Sequence, residues 1–258
     1  MKPVRAKKGL GQHFLKDQEI AARIVAALQE KAEDQAVLEI GPGMGILTVP
    51  LLELEWTALH IVEIDEESIN YLKENLPKVA PHLIKGDFLK MDIHGLGNPH
   101  LAIIGNFPYN ISSQILFKVL DHVQQVNLLV GMFQKEVAER LASGAGSKKY
   151  GILSVLLQAY FDVDYLFTVQ ADKFRPPPKV ESAVIRLTRN DRDSLGCDAK
   201  LFRKVVKGGF NHRRKTLRNS LKLTLGMPID IDSHYLEMRA EQLSVDDFIA
   251  LTNMLDKS

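Results

Sequence analysis

Residues 36–45, AVLEIGPGMG, constrain the fold more than any other stretch of this 258-residue chain. Five apolar-biased residues read as a buried strand, and glycines 41, 43 and 45 directly after it permit a turn that brings backbone close to a ligand. ILTVPLLEL follows with apolar residues at helical spacing, so the unit is strand, glycine turn, helix. The alternation then recurs: ALHIVEID (58–65), ESINYLKENL, HLIKGD, LAIIGNFPYN (101–110), SSQILFKVLDHV and VNLLVGMFQ read as strand, helix, strand, strand, helix, strand. Such a pattern predicts a parallel sheet with right-handed crossovers. Helices EVAERLAS and ILSVLLQAYF come next, separated by the loop AGSKKYG. Two closing strands, FDVDYLFTV and ESAVIRLTR, form a hairpin-like pair around FRPPPK, which can be neither helix nor central strand.

The expected class is therefore α/β, a Rossmann-like domain over residues 1–190 with a seven-stranded, mostly parallel sheet. The polar stretch 190–198 reads as a linker, and 191–258 as a small all-helical C-terminal domain. Its last helix, in SVDDFIALTNML, opens at a capping-box pair, Ser244 and Asp247.

The glycines are spaced G-x-G-x-G, whereas a dinucleotide fingerprint is G-x-G-x-x-G; here Ile46 stands at the sixth position. That disfavours a pyrophosphate. Preceded by the acidic Glu39, the turn suits the amino-acid portion of S-adenosylmethionine, with Gly41 and Gly43 nearest the ligand. Glu63, at the end of the second strand, can accept from both ribose hydroxyls, and Asp87, in GDF, from the cofactor's adenine amine. Taken singly, each is equally a tight turn or a solvated strand-end acid; in register they specify one crevice.

Asn106-Phe107-Pro108-Tyr109 ends the fourth strand. Methylating an aromatic amine is hard because its lone pair is delocalised into the ring. The Asn106 side-chain oxygen and the Phe107 carbonyl could accept hydrogen bonds from such an amine and favour a pyramidal nitrogen. Pro108 fixes φ and has no N–H, leaving carbonyl acceptors exposed. Tyr109 would stack on a purine, with Phe174, before the rigid PPPK, as the second face of a sandwich. A flipped-out or single-stranded adenine is implied. No nucleophile and no metal are called for, and positioning should supply most of the rate.

The net charge of +1 conceals an asymmetry: residues 200–222 hold nine Lys or Arg and no Asp or Glu. Within them Arg213, Arg214, Lys215, Arg218 and Lys222 follow phosphate-binding logic, although a solvated helical face is the plain alternative. Lys2, Arg5, Lys7 and Lys8 form a basic arm, and Lys148 and Lys149 a basic loop. No apolar stretch suits a membrane span or a secretory leader, and Cys197 is the lone cysteine, so a cytoplasmic protein is expected. Nothing demands a dimer, and a monomer is the expectation.

Several blocks together, GQHFL (11–15), EIGPGMGILT, VEID, KGDFL, NFPYNISSQIL, FRPPPKVESAV, FNHRRKTLRNSL and RAEQLS, resemble the bacterial small-subunit ribosomal RNA adenine dimethyltransferase family over nearly the whole chain. Its relatives include the erythromycin-resistance methylases and mitochondrial transcription factors. The resemblance implies a class I methyltransferase fold and a GQHFL segment folded over the cofactor, so that His13 and Leu15 join Gly41, Glu63, Asp87 and Asn106 as its ligands. It also implies dimethylation of the N6 groups of two adjacent adenosines near the 3′ end of 16S rRNA in the immature 30S subunit. Phe107 departs from the leucine usual in the family, which a role through the backbone carbonyl tolerates. A non-catalytic assembly or transcription factor, or a large-subunit rRNA methylase, are the rival readings.

Overall fold

In the computed structural model, which describes residues 4–226, 229 and 231–256, nine strands and nine α-helices are found among the described residues. Strand β1 is Phe14–Leu15 and helix α1 Gln18–Gln29, capped by Asp17, whose carboxylate accepts from the Ile20 N–H. There follow β2 (Ala36–Ile40), α2 (Thr48–Leu52), β3 (Ala58–Glu63), α3 (Glu66–Asn75), β4 (Leu83–Lys85), β5 (Leu101–Asn106), α4 (Ser112–Asp121) and β6 (Val126–Gln134). Then come α5 (Lys135–Leu141), α6 (Ile152–Gln158), β7 (Phe161–Val169), β8 (Phe174–Arg175) and β9 (Ser182–Arg189).

Seven strands form one sheet in the order β4-β3-β2-β5-β6-β9-β7. The pairs β3–β4, β2–β3, β2–β5 and β5–β6 are parallel, and β9 runs antiparallel to β6. All five residues of β2 and the first five of β5 are buried. Burial on both faces is why these strands read as continuous apolar runs rather than alternating ones. The apolar stripe of α1, Ile20, Ala21, Ile24, Val25 and Leu28, packs into the same core. A second, two-stranded sheet joins β1 to β8, pairing Phe14 with Arg175 and Leu15 with Phe174. FRPPPK thus contributes a short edge strand.

The chain divides into two compact units. One comprises the residues up to Ala138 together with Asp164–Arg189; the other comprises Glu139–Val163 and the residues from Asn190 onward. The expected break after residue 190 falls one residue from an edge of this division, between Arg189 and Asn190, and 139–163, which include the start of β7, are grouped with the C-terminal helices. In that second unit are α7 (Ala199–Asn211), α8 (Leu217–Leu225) and α9 (Val245–Asp256). Phe202, Leu217, Leu221, Phe248 and Leu251 are buried there, and the buried Tyr150 meets the Phe210 ring edge-on at 6.0 Å. Asp247 accepts from the Ser244 N–H (2.9 Å) and hydroxyl (2.7 Å), while the Asp247 N–H donates back to Ser244 Oγ, completing the capping box before α9. Among the described residues no helix is long and apolar enough to cross a membrane.

Candidate active site

From β2 the chain moves outward through β3 to β4 and returns to β5 on the other side of β2. The loops leaving β2 and β5 therefore diverge, and a crevice opens at their carboxyl ends. A cavity of about 230 Å³ lies there. Gly41, Gly43, Glu63 and Asp87 line one part of it; Asn106, Phe107, Pro108 and Tyr109 line another; His13 and Leu15 close it from the N-terminal segment.

The glycine turn needs its glycines. Gly41 and Gly43 have φ of +67° and +57°, in the left-handed region, where a side chain is strained. Space adds to this at Gly43, where a Cβ would stand 2.8 Å from the Phe14 ring. At Gly41 a Cβ would meet nothing within 4 Å, so bare backbone faces open space.

Glu63 ties the turn to β3. Its Oε1 accepts from the N–H groups of Ile64 and Asp65, both at 2.8 Å, and its Oε2 from that of Gly43 at 3.2 Å. Burial nevertheless holds its pKa above the ordinary carboxylate range. Glu39 is 1% exposed, and burial pushes its pKa up to about 8, opposed by the Thr48 hydroxyl that donates to Oε2 at 2.7 Å. Its other oxygen is buried with no hydrogen-bond partner.

On the β5 side, Asn106 Nδ2 donates to the carbonyl of His13 at 2.8 Å. A carbonyl can only accept, so the amide nitrogen is held toward His13 and the amide oxygen takes the other branch. The carbonyls of Pro108 and Tyr109 are engaged within the turn by the Ile111 N–H and the Ser112 hydroxyl. Tyr109 shares a 2.5 Å hydrogen bond with Ser182 Oγ, and burial raises the phenol's pKa. His13 stacks near it, with ring centroids 5.7 Å apart and planes at 27°. The His13 Nδ1 lies 2.8 Å from the Pro176 carbonyl, which fixes that nitrogen as the protonated donor.

One expected member is elsewhere. Phe174 is not among the residues that line the cavity: it is 2% exposed and belongs to the core, paired with Leu15. Along the two-residue strand β8 the alternation turns Phe174 inward and Arg175 outward, and burying the aromatic ring settles the choice. The ring that does stand beside Tyr109 is His13. Residues not anticipated from the sequence also line the cavity, among them Ile64, which is half exposed, and Gln12, whose amide donates to Asp65. Ile64 follows Glu63 in VEID, and that strand-end position is the signal that could have marked it.

The basic cluster divides. Arg213 donates to the Lys148 carbonyl at 2.7 Å and lies 3.7 Å from Glu241; Arg218 pairs with Glu237 at 2.8 Å and donates to the Ile229 and Ile231 carbonyls. These two arginines hold their own unit together. Arg214 and Lys215, in the turn between α7 and α8, and Lys222 on α8 are exposed. Elsewhere Lys7 pairs with Asp65 and Glu67, and Lys149 with Glu139, so neither is an uncommitted cation; Lys2 lies outside the described residues.

A parallel run of five strands continued by the antiparallel β9, with a glycine turn after β2, acids at the end of β3 and just past β4 and an N-F-P-Y turn at the end of β5, defines a class I methyltransferase. The chain belongs to the ribosomal RNA adenine dimethylase family, whose model matches residues 4–257. It is 57% identical over 255 residues to the ribosomal RNA small subunit methyltransferase A of Cytophaga hutchinsonii, covering 99% of each chain. To the protein of the same name in Parabacteroides distasonis it is 56% identical, covering 100% of this chain and 96% of that one. Among solved structures it resembles a dimethyladenosine transferase from Plasmodium falciparum, with a TM-score of 0.78 and 28% identity over 95% of this chain and 98% of that one.

Proposed function

We propose that this chain transfers methyl groups from S-adenosylmethionine to the N6 amino groups of two adjacent adenosines near the 3′ end of 16S rRNA. It acts as a cytoplasmic monomer on the immature 30S particle, as a step of small-subunit biogenesis. The observation that carries this reading is the Asn106 amide, locked by the His13 carbonyl beside the glycine-lined cavity.

The residues present suit the donor. Glu39 lines the cavity and has a buried oxygen without a partner, which a cationic donor such as the cofactor's α-ammonium group would complete. Bare backbone at Gly41 leaves room for that end of the molecule. Glu63 already accepts three backbone N–H groups, which leaves its Oε2 one further site for a ribose hydroxyl. Asp87 reads the adenine amine, and His13 and Leu15 cover the ligand.

When bound, S-adenosylmethionine supplies a methyl group on a positively charged sulfur. The chain's own task is placement. Asn106 Oδ1 and the Phe107 carbonyl accept from the two N–H bonds of the target amine, and so turn its lone pair out of conjugation with the purine. Tyr109, anchored by Ser182, offers its face to the base, a contact worth about 1–3 kcal/mol. The surplus proton passes to solvent. Arg214, Lys215 and Lys222 contact RNA phosphates and set affinity rather than sequence choice.

Asn106→Ala tests this reading. Single-turnover transfer, at saturating donor and RNA, falls about 10²–10³-fold, the usual cost of removing one preorganised hydrogen-bond partner, while the donor Kd changes only a few-fold. A variant that transfers at the normal rate would remove the assignment.

A further inference from the structure

Gly131 lies on β6 directly opposite Gly105 on β5, in the register position just before Asn106 and Met132. Neither glycine has a positive φ, so backbone conformation does not require glycine at either place. Space does. A Cβ on Gly105 would stand 2.6 Å from the Phe107 ring and 2.8 Å from the Ile40 carbonyl oxygen. On Gly131 it would stand 2.1, 2.8 and 3.1 Å from its three nearest atoms, and all three belong to the Phe107 ring. That ring is 1% exposed and is closed on another side by Phe133, edge-on at 5.2 Å.

We infer that Gly131 is a positioning residue for methyl transfer: it leaves the slot that seats the Phe107 ring, and the seated ring sets where the Phe107 carbonyl and the neighbouring Asn106 amide meet the target amine. This rests on the function proposed above. Gly105 has a reason of its own to be glycine, the Ile40 carbonyl; at Gly131 the three nearest atoms are all of the Phe107 ring. The slot is rigid as well as full. It is floored by two paired strands of a buried parallel sheet and walled by an aromatic ring, so an added methyl displaces the Phe107 ring rather than the strands. Phe107 adjoins Asn106 in sequence, and a displaced ring drags the N-F-P-Y turn with it. Gly131 itself does not line the cavity and touches neither donor nor base directly. Its effect therefore falls on the geometry of the acceptors and leaves the glycine turn alone.

The test is a double-mutant cycle of Gly131→Ala and Phe107→Leu, reading single-turnover transfer to undermethylated 30S particles, donor Kd by calorimetry, and thermal melting. Gly131→Ala lowers turnover about tenfold to a hundredfold, as ångström-scale misplacement does, with donor Kd changed less than about threefold. Phe107→Leu removes Cε2 and Cζ, the first and third of the three conflicting atoms, so adding it to Gly131→Ala restores turnover to within about threefold of Phe107→Leu alone, a coupling that independent sites do not show. If Gly131→Ala does not fold, a folded and active double variant supports the inference equally. Normal turnover in Gly131→Ala, or a double variant no better than Gly131→Ala, would overturn it. Wild-type protein that binds donor yet forms no dimethyladenosine would instead defeat the underlying function, an outcome read in the same assay before any variant is compared.

Discussion

Glu39 shows how a single buried group couples stability to the ligand. Its folded pKa is raised to about 8 by burial, so the folded state holds a proton that the unfolded chain has released above about pH 4.3. The stability tied to that proton is complete below the unfolded value and is lost as pH rises through about 8. The melting temperature of the unliganded protein therefore falls between pH 6 and pH 9, and Glu39→Gln, which stays neutral, flattens that fall. Equal slopes in the two proteins would contradict the buried, unpartnered oxygen. Glu39→Gln also weakens donor binding, because the carboxyl gives up its proton to become the ammonium's anionic partner and an amide cannot. The places of Gly41, Gly43, Glu63, Asp87, Asn106 and Tyr109 around the cavity were legible from the sequence, because a strand end followed by a special turn brings a residue to the crevice whatever the rest of the fold does. The burial of Phe174 was not legible for the opposite reason: it depends on pairing with Leu15, more than 150 residues earlier in the chain, and no local pattern carries that information.

At the level of elements, the glycine turn and the N-terminal segment work as one piece, since Phe14 packs where a Gly43 side chain would stand. Gly43→Ala combines left-handed strain of about 1–2 kcal/mol with that overlap. It weakens donor binding at least about tenfold and lowers the melting temperature; an alanine variant with unchanged donor affinity would mean that the turn tolerates a side chain after all. The long strands were readable because burial on both faces makes continuous apolar runs, and β6 matches its apolar stretch end to end. Shorter elements were not. Helix α2 is confined to Thr48–Leu52 because the preceding residues are taken up by the glycine turn, and β8 is two residues long, below what any periodicity can register.

On the scale of the whole molecule, charge is the property with most consequence for a ribosomal substrate. Only part of the basic run is available: Arg213 and Arg218 are spent on carbonyls and carboxylates of their own unit, whereas Arg214, Lys215 and Lys222 are exposed. Reversing Arg214 and Lys215 to Glu therefore weakens RNA binding and reduces the slope of log K against log salt by about 0.7–0.9 for each phosphate no longer neutralised, without altering the circular dichroism spectrum. Arg218→Ala does the reverse, lowering the melting temperature while leaving the salt slope unchanged. The opposite pattern in a salt titration would show that the wrong cations were chosen. Nine basic residues in a row of twenty-three announced a positive face, but their intramolecular partners come from Glu237 and Glu241, beyond the run, and are visible only once the chain is folded. The segment 139–163 joins the C-terminal unit in the same way, through long-range packing such as that of Tyr150 with Phe210. The central claim is tested most directly by incubating the purified protein with S-adenosylmethionine and 30S particles that lack the modification, then mapping the rRNA by mass spectrometry. The predicted result is two adjacent N6,N6-dimethyladenosines near the 3′ end of 16S rRNA and none elsewhere; unmodified adenosines in particles that bind the protein, or the mark on large-subunit rRNA, would contradict it.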